Sequence, residues 1–324
     1  MSGGSRGVPQ PHSRNLGETN ILNSNKTVHH RRVKRFGHYG FLPYVLIFPL
    51  VVFIGILAVY PTALTFIESF FNVNPLDPPV RFIGFGNYLK IFANPNVNNS
   101  WVNSMLYVGF GVVIVTVLAM AIAYALRENF PGRGIVLAIV VLPWALPGVT
   151  EGIIWAWIYN SDFGVLNSIL KSLHIIREYQ IWLSSSRGLT IFFIELVQAW
   201  QITPLATILI LSSLQSIPGE LYDAAKVDGA GRWRTFFGIT VPLIRAGLSV
   251  AVVESVIVSL NIFDQVYVLN GNAATGSSIM LQTYNITFQN LNFGQGYALS
   301  FLAVMITMLI SVGVLRLVYR RVEY

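Results

Sequence analysis

Six apolar stretches, each of about 20 residues or more, recur along the chain and are separated by polar or Gly/Pro-bearing connections. A helix needs about 20 mostly apolar residues to cross the hydrocarbon core of a bilayer, and in lipid it must satisfy its backbone polar groups internally. The six stretches are 40–60, 102–126, 135–159, 189–214, 243–269 and 297–318. The sequence therefore predicts an all-α integral membrane protein with six transmembrane helices.

The composition supports this class and excludes others. Hydrophobic residues make up 54% of the chain and charged residues 11%, whereas soluble domains are about a quarter charged. There is no cysteine, which excludes a disulfide framework or a thiolate metal site. No histidine or carboxylate stands in a catalytic or metal-binding motif. We therefore predict no catalytic residue and no metal site.

Basic residues are concentrated at the N-terminus. Seven of the 21 Lys and Arg residues lie in the first forty positions, against Glu18 alone. The segment is rich in Gly, Ser and Asn and has no apolar periodicity, which is typical of disorder. We expect residues 1–39 to be a disordered basic cytoplasmic tail whose charge suits membrane lipid rather than nucleic acid.

The basic residues also predict the orientation. Of the 21 Lys and Arg residues, 16 fall on one side of the predicted membrane and 5 on the other. Cytoplasmic connections carry the excess, so both termini are expected in the cytoplasm. The expected organisation is the tail (1–39), a first helix with an outer loop (40–97), a core of five helices (98–318) and a short cytoplasmic C-terminus (319–324).

Two outer connections are expected to be ordered. Residues 163–174 have apolar side chains at helical spacing, which favours a helix at the outer surface. Residues 270–296 are rich in Gly, Asn and Thr and are expected to form a loop that faces a soluble partner.

One polar segment, "IPGELYDAAKVDGAGRWRTFFGITVPL" (217–243), lies between the fourth and fifth apolar stretches. Pro218 suits the first turn of a helix, and Glu220 and Asp223 then lie near its positive end. Gly229 and Gly231 are expected to end that helix and permit positive φ angles.

A second amphipathic piece follows in the same segment. Its apolar side is formed by Trp233, Phe236, Phe237 and Ile239. Pro242 is expected to return the chain to the membrane. Two short helices at an angle, exposed to the cytoplasm, are shaped to dock into a groove of another protein; the alternative is an interfacial loop lying on lipid headgroups.

The stretch "DAAKVDGAGRWRTFFGITVP" closely resembles the EAA loop of bacterial and archaeal ABC importer permeases. That pattern reads Glu-Ala-Ala, three residues, Gly, nine residues, Ile, one residue, Leu-Pro. The matching positions here are Asp223, Ala224, Ala225, Gly229, Ile239, Val241 and Pro242. The departures are Asp for Glu at 223 and Val for Leu at 241.

The resemblance extends over roughly 82 to the C-terminus. It is carried by "FIGFGNYLKIF" (82–92), "VLPWALPGVTEGIIWAWIYNSDFGVLN" (141–167), "AWQITPLATILILSSLQSIPGELYDAA" (199–225) and "NIFDQVYVLNG" (261–271). These segments are similar to those of the sugar-type permeases of maltose and glycerol-3-phosphate systems. The chain departs from them at Gly271-Asn272-Ala273, where the family usually shows Gly-Gly-Pro.

This resemblance implies a type I ABC importer fold and a transport subunit, not an enzyme, in a prokaryotic plasma membrane. The EAA loop would be a coupling helix seated on a separate ATPase. Its coupling residues would be Glu220, Asp223, Ala224, Ala225, Asp228, Gly229, Ile239 and Pro242. The chain has no G-x-x-x-x-G-K-[ST] phosphate loop, so it is expected to bind no cofactor, with ATP and Mg used by the partner ATPase. The expected partners are a second permease subunit, an ATPase subunit dimer and an extracytoplasmic substrate-binding protein.

Polar groups inside apolar helices are costly and mark candidate pathways. The candidates are Trp144, Glu151, Gln198, Trp200, Gln201, Ser255, Ser259, Asn261 and Asp264. Amides, hydroxyls and Trp faces suit a sugar, and Trp144, Gln198, Gln201, Ser255 and Ser259 fall at places that match the sugar-contacting helices of the maltose permease. The alternative for each is an interhelical hydrogen bond.

The carboxylates within the predicted spans leave a second function open. An ion-coupled secondary transporter would use Glu151, Glu195 or Glu254 as proton sites, although the two halves of the chain show no inverted repeat. Glu195 and Glu254 either pair with one another or are protonated. The substrate stays open among oligosaccharides, monosaccharides and glycerol phosphates, and the absence of a basic residue at the middle of any span disfavours a phosphate.

Overall fold

The computed structural model describes residues 41–183 and 186–319. The chain divides into two compact units, Met1–Ile54 and Gly55–Tyr324. The predicted tail (1–39) and residues 320–324 of the predicted C-terminus lie outside the described residues.

In the first unit the described residues form one helix, α1 (Leu42–Ile54). It carries Pro49 and no charged residue, and the described side chains are exposed on every face. A helix that is apolar all round needs an apolar surrounding, which a bilayer supplies.

The second unit begins with a π turn (Gly55–Val59) and α2 (Tyr60–Glu68). A two-stranded antiparallel hairpin follows, β1 (Phe71–Asn72) and β2 (Arg81–Phe82), with Phe71 opposite Phe82. The next elements are α3 (Gly86–Phe92), α4 (Pro95–Ala125), α5 (Arg133–Val141), a 3₁₀ turn (Leu142–Ala145), α6 (Gly148–Ile158) and α7 (Val165–Ser172). The helix predicted within 163–174 is thus confirmed as α7.

The remaining elements of this unit are also helical. They are α8 (Arg187–Gln215), α9 (Gly219–Val227), α10 (Arg232–Thr235), a π turn (Phe236–Thr240), α11 (Val241–Leu243), α12 (Arg245–Leu260), α13 (Asp264–Asn270), α14 (Ile279–Tyr284), a π turn (Asn285–Gln289) and α15 (Phe293–Val318). The connection 270–296, predicted as a loop, therefore contains a helix and a π turn, because its apolar residues Ile279, Leu281 and Ile286 are buried.

Four helices of the described chain are long and apolar enough to cross a membrane: Pro43–Glu68, Pro95–Ala125, Arg187–Gln215 and Phe293–Val318. Two further candidates are bent helix pairs, Arg133–Ala145 with Gly148–Ile158 and Arg232–Leu243 with Arg245–Leu260. If each pair is one span, the total reaches the six that were predicted.

The third predicted span, 135–159, is not one helix. Its two arms meet at a bend of 100°, where Leu146 and Pro147 both have extended backbone angles. Proline disfavours the helical region for the residue before it and has no N–H to donate. Pro147 therefore ends the first arm and begins the second.

The fifth predicted span, 243–269, is also not one continuous helix. Ile244 separates α11 from α12 with a bend of 76°, and α12 ends at Leu260, before the separate helix α13. The side chain of Asn261 donates to the Ile257 carbonyl at 2.7 Å, a local bond that competes with continued helix.

The core is built by α4, α8 and α12, which pack against one another. Their contact is lined with small buried residues, Ala119, Ala123, Ala199, Ala206 and Ala251, which permit close approach of helices in a membrane. The apolar window of α8 is 67% buried, against 22% for α4 and 17% for α15. The central position of α8 places its polar side chains inside the bundle.

Candidate functional site

The polar segment 217–243 folds as an exposed helix, a tight turn and a second helical run. Helix α9 begins after Pro218, and Gly229 follows its end with φ +71°. The N–H of Ala230 then bonds the Ala225 carbonyl at 2.9 Å, which closes the helix in the usual glycine-terminated way. The prediction for Gly229 is confirmed.

The prediction for Gly231 is wrong. Its φ is −68° and its ψ is 164°, an extended conformation open to any residue. One left-handed residue is sufficient to end α9, and Gly231 instead precedes α10.

The second run extends from Arg232 to Leu243 and includes a π turn in which the N–H of Val241 bonds the Phe236 carbonyl. Pro242 lies inside this run, and the bend toward α12 comes at Ile244. The position of Pro242 explains the wider turn, because a residue without an N–H cannot continue the regular bonding. The return to the apolar span is thus made at Ile244 and not at Pro242.

The predicted coupling residues mostly lie on the surface of this segment. Glu220, Asp223, Ala224, Asp228 and Gly229 are exposed, Ile239 and Pro242 are half-buried, and Ala225 is buried. Asp223 pairs with Lys226 at 3.0 Å, but both side chains are more than 70% exposed, so the pair contributes little. The Asp223 carboxylate thus remains accessible to a partner.

Aromatic side chains on the second run are exposed as well. Trp233 is 76% exposed and Phe237 63%, and their rings stack at 6.0 Å between centroids. Exposed apolar groups beside charged ones are typical of an interaction surface.

An open groove of about 890 Å³ lies between α9 and the end of α4. The guanidinium of Arg127 sits 4.1 Å from the Tyr124 ring centroid and 5.6 Å from that of Tyr222 on α9. Burial is the largest single effect and acts to lower the pKa of Arg127, but the hydrogen bond to Glu128 and the charges of Tyr124, Glu128 and Tyr222 together outweigh it. The pKa is therefore raised and the group stays charged. Sequence reasoning missed Arg127 and Tyr222, which together join α9 to the bundle.

A polar network spans the break in the third span. The side-chain amide of Gln265 on α13 donates to Glu151 on α6 at 2.8 Å and to Gln201 on α8 at 3.2 Å. Gln201 in turn donates to the Leu146 carbonyl at 2.8 Å, which the break leaves without a helical partner. The network therefore holds α6, α8 and α13 together at the bend.

Some of the predicted pathway residues belong to this network or lie beside it, and the others lie elsewhere. Glu151 and Gln201 belong to it, together with Gln265, and Asp264 lies against Gly148 at the start of α6. Trp200 on α8 meets Trp155 on α6 edge to face, with centroids 5.8 Å apart.

The other predicted pathway residues are not brought to this network. Gln198 donates to the Val258 carbonyl at 3.1 Å, Ser255 to the Ala251 carbonyl and Ser259 to Glu195. The bonds of Gln198 and Ser259 are interhelical and match the alternative stated for them, whereas the bond of Ser255 lies within α12. Trp144 and Asn261 are exposed, and Glu195 bonds to Ser259 rather than to Glu254. Within residues 41–183 and 186–319, no three His, Asp or Glu side chains gather as a metal site requires.

The chain is similar to known proteins over most of its length. Residues 115–324 match the protein family described as "Binding-protein-dependent transport system inner membrane component". The chain is 32% identical over 279 residues to the trehalose/maltose transport system permease protein MalF of Thermococcus litoralis, covering 85% of this chain and 92% of that protein.

Two further relatives match this chain over a similar share of its length. The sulfoquinovosyl glycerol transport system permease protein SmoG of Agrobacterium fabrum is 32% identical, over 86% of this chain and 90% of its own. The diacetylchitobiose uptake system permease protein DasB of Streptomyces coelicolor is 28% identical, over 87% and 88%.

The fold is similar to that of solved structures. A chain of a bacterial ABC transporter involved in the import of the acidic polysaccharide alginate superposes with a TM-score of 0.73 at 19% identity, over 87% of this chain and 96% of that one. The alginate transporter in complex with its pentasaccharide-bound periplasmic protein gives a TM-score of 0.72 at 19% identity, over 85% and 92%. At this identity the likeness concerns the fold.

Proposed function

We propose that the cargo of this chain is a sugar or sugar derivative. The chain belongs to the family of binding-protein-dependent transport system inner membrane components and is therefore a multi-pass permease subunit of an ATP-driven importer rather than an enzyme. The relatives named above carry trehalose or maltose, sulfoquinovosyl glycerol and diacetylchitobiose in their names. All of these compounds are carbohydrates or carbohydrate derivatives. The family itself does not define the cargo, so the proposal depends on the residues of the pathway.

The observation that carries the proposal is the Glu151–Gln265–Gln201 network at the broken span. Amide groups both donate and accept, as paired sugar hydroxyls require, and one oxygen of Glu151 is buried without a partner among the described residues. The Trp155–Trp200 pair on two of the same helices offers ring faces to the C–H side of a sugar. A half-satisfied network of this kind has hydrogen-bonding capacity left for a substrate.

Coupling to ATP is assigned to the exposed segment 219–243. Its charged α9 and stacked Trp233–Phe237 pair form a docking surface, and the Arg127–Tyr222 contact would transmit movement of α9 to α4. In this proposal the groove of a separate ATPase subunit receives the segment, as in the EAA loops that it resembles. ATP and Mg are used by that ATPase, and this chain binds no cofactor of its own.

The proposed assembly contains a second permease subunit, an ATPase dimer and an extracytoplasmic substrate-binding protein. The excess of Lys and Arg on one side supports an orientation with both termini in the cytoplasm. That orientation places segment 219–243 on the ATPase side.

The proposal is tested on the complex purified through a tag on this chain and reconstituted in vesicles. We expect ATP-dependent uptake of labelled trehalose, maltose or diacetylchitobiose, with glycerol 3-phosphate as a charged comparison. Uptake driven by a proton gradient without ATP would contradict the assignment to ATP coupling. Uptake of glycerol 3-phosphate in preference to every neutral sugar would contradict the proposed cargo.

A further inference from the structure

A second polar cavity, of about 240 Å³, lies at the opposite end of the bundle from the α9 groove. Asn96 near the start of α4 lines it, whereas Tyr124 near the end of α4 lines the groove. At a rise of 1.5 Å per residue, the two positions are roughly 40 Å apart, more than the thickness of a hydrocarbon core. The cavity and the groove are therefore on opposite sides of the membrane.

The described residues that line this cavity are uncharged and rich in amides. Six of the residues that line it are Asn96, Asn272, Gln282, Asn285, Gln289 and Asn290. Within the described chain, none of these six side chains has a hydrogen-bond partner. Asn96, Asn272, Gln289 and Asn290 are exposed and can be solvated, but Gln282 is only 9% exposed and the side-chain oxygen of Asn285 is buried without a partner. Buried polar groups without a protein partner require one from elsewhere.

The wall of the cavity is preformed. Asn103 on α4 donates to the Ser277 carbonyl at 2.9 Å and to the Ala274 carbonyl at 3.2 Å. Tyr107 donates to the Gly276 carbonyl at 2.9 Å. The segment 274–277 is thus held against α4 by three bonds, and little ordering remains to be done when a ligand enters.

The backbone beside the cavity is irregular. Residues Asn285–Gln289 form a π turn, an irregularity that occurs frequently at functional sites. Leu291, which follows, has φ +52°, a left-handed angle that is unfavourable for a residue with a side chain. The π turn adds one residue to the helical repeat, which changes the direction of Asn285 and Gln289 relative to a regular helix.

We propose that this cavity is a binding site for one neutral sugar residue, at which the cargo is received before it enters the membrane. The inference rests on the proposed function, which supplies the sugar and the orientation that places the cavity outside. Amides match hydroxyl groups as both donors and acceptors. The described residues of the lining include no charged one, which disfavours ions, because an ion would lose its hydration without compensation. At about 240 Å³ the cavity is smaller than the roughly 300–1,000 Å³ of pockets for drug-sized ligands, which suits a single hexose ring rather than a chain.

A polypeptide loop is the less favoured occupant. Protein contacts are usually centred on aromatic or aliphatic side chains that enter an apolar pocket. Here Ala274 is the one apolar residue of the described lining, so an apolar anchor would find no matching surface. Sugar hydroxyls, in contrast, match the lining throughout.

The site is tested by saturation-transfer NMR on the full chain in lipid nanodiscs, with D-glucose as the neutral probe and D-glucuronate as the charged one. We expect transfer to glucose and less to glucuronate. Gln282→Leu should raise the Kd for glucose about fivefold, the typical effect of a lost hydrogen bond. Gln295→Leu is the matched control: Gln295 is half-buried in α15 and does not line the cavity, so its Kd should stay unchanged.

Asn290→Ala keeps the test valid if Gln282→Leu does not fold. Asn290 is an exposed residue of the rim, so its truncation leaves the fold intact and should raise the Kd about twofold. No saturation transfer to glucose in the wild-type chain, or the same Kd in Gln282→Leu and Gln295→Leu, would overturn the inference. Loss of binding-protein co-purification in Gln282→Leu with unchanged glucose binding would also overturn it, because the cavity would then be a protein-docking site.

ATP-driven uptake separates this inference from the proposed function. Uptake of a sugar by the reconstituted complex without glucose binding in the cavity leaves the proposed function standing and removes the inference. Glucose binding that is sensitive to Gln282→Leu, in a complex that takes up no sugar, supports the site and removes the proposed function.

Discussion

The hydroxyl of Ser259 on α12 donates a hydrogen bond of 2.7 Å to the carboxyl group of Glu195 on α8. Both side chains are fully buried, and the second carboxyl oxygen of Glu195 has no partner within the described residues. The bond therefore joins two of the three core helices in surroundings where a polar group is costly to leave unpaired.

Gly111 on α4 makes room for this pair. A Cβ atom at Gly111 would overlap both Ser259 Oγ and Glu195 Oε1. We expect Gly111→Ala to destabilise the protein by about 1–3 kcal/mol, as overpacking of a tight core does. Thermal unfolding in detergent measures the effect. Gly109→Ala is the matched control, because a Cβ at Gly109 meets nothing within 4 Å; equal melting of the two variants would show that α4 does not pack as described.

Ser259→Ala should be more damaging than Ser255→Ala. The first removes the hydrogen bond of the buried Glu195 carboxyl group, at a cost of about 1–3 kcal/mol. The second removes only a bond within α12, from Ser255 to the Ala251 carbonyl, and should cost less than about 0.5 kcal/mol. Both are compared by thermal unfolding, and a larger loss in Ser255→Ala would contradict the assigned interhelical role of Ser259.

Gln265→Leu should impair transport, because its side chain is the only member of the described network that bonds to both Glu151 and Gln201. The substitution removes two hydrogen bonds at the bend, so the Glu151 carboxylate and the side-chain oxygen of Gln201 lose the Gln265 donor. We expect ATP-driven uptake to fall about tenfold, equivalent to roughly 1.4 kcal/mol. Gln180→Leu, at an exposed glutamine in the connection before α8, is the control and should retain uptake. Uptake at the wild-type rate in Gln265→Leu would show that the network does not contribute to the transport pathway.

Gly229→Ala and Gly231→Ala should have different effects on coupling. Gly229 has φ +71° and open space around it, so alanine there costs about 1 kcal/mol through its backbone alone. Gly231 has φ −68° and accepts alanine without strain.

The measurement is ATPase stimulation and sugar uptake by the reconstituted complex. We expect Gly229→Ala to reduce uptake relative to ATP hydrolysis, because the angle between α9 and α10 changes, while Gly231→Ala behaves as wild type. Identical behaviour of the two variants would show that the turn does not set the coupling geometry.

Much of the protein follows from local sequence. Apolar length predicts six spans, four of which are continuous helices and two of which are bent pairs, and the spacing from Asp223 to Pro242 predicts a coupling segment. Both predictions depend on residues close together in the chain. The left-handed conformation of Gly229 also follows from the end of one helix. The same pattern predicts that Gly231 also ends α9, but Gly231 lies beyond the helix in an extended conformation, since one left-handed residue already ends α9.

Only the tertiary structure decides which polar residues meet. Gln265 and Glu151 are 114 positions apart, and Ser259 and Glu195 are 64 apart, so no local pattern indicates either pair. Their pairing depends on where Pro147 breaks the third span and on how closely small residues such as Gly111 let α4, α8 and α12 approach. Helical propensity and hydropathy are properties of segments, whereas a site inside a membrane bundle is a property of how the segments pack.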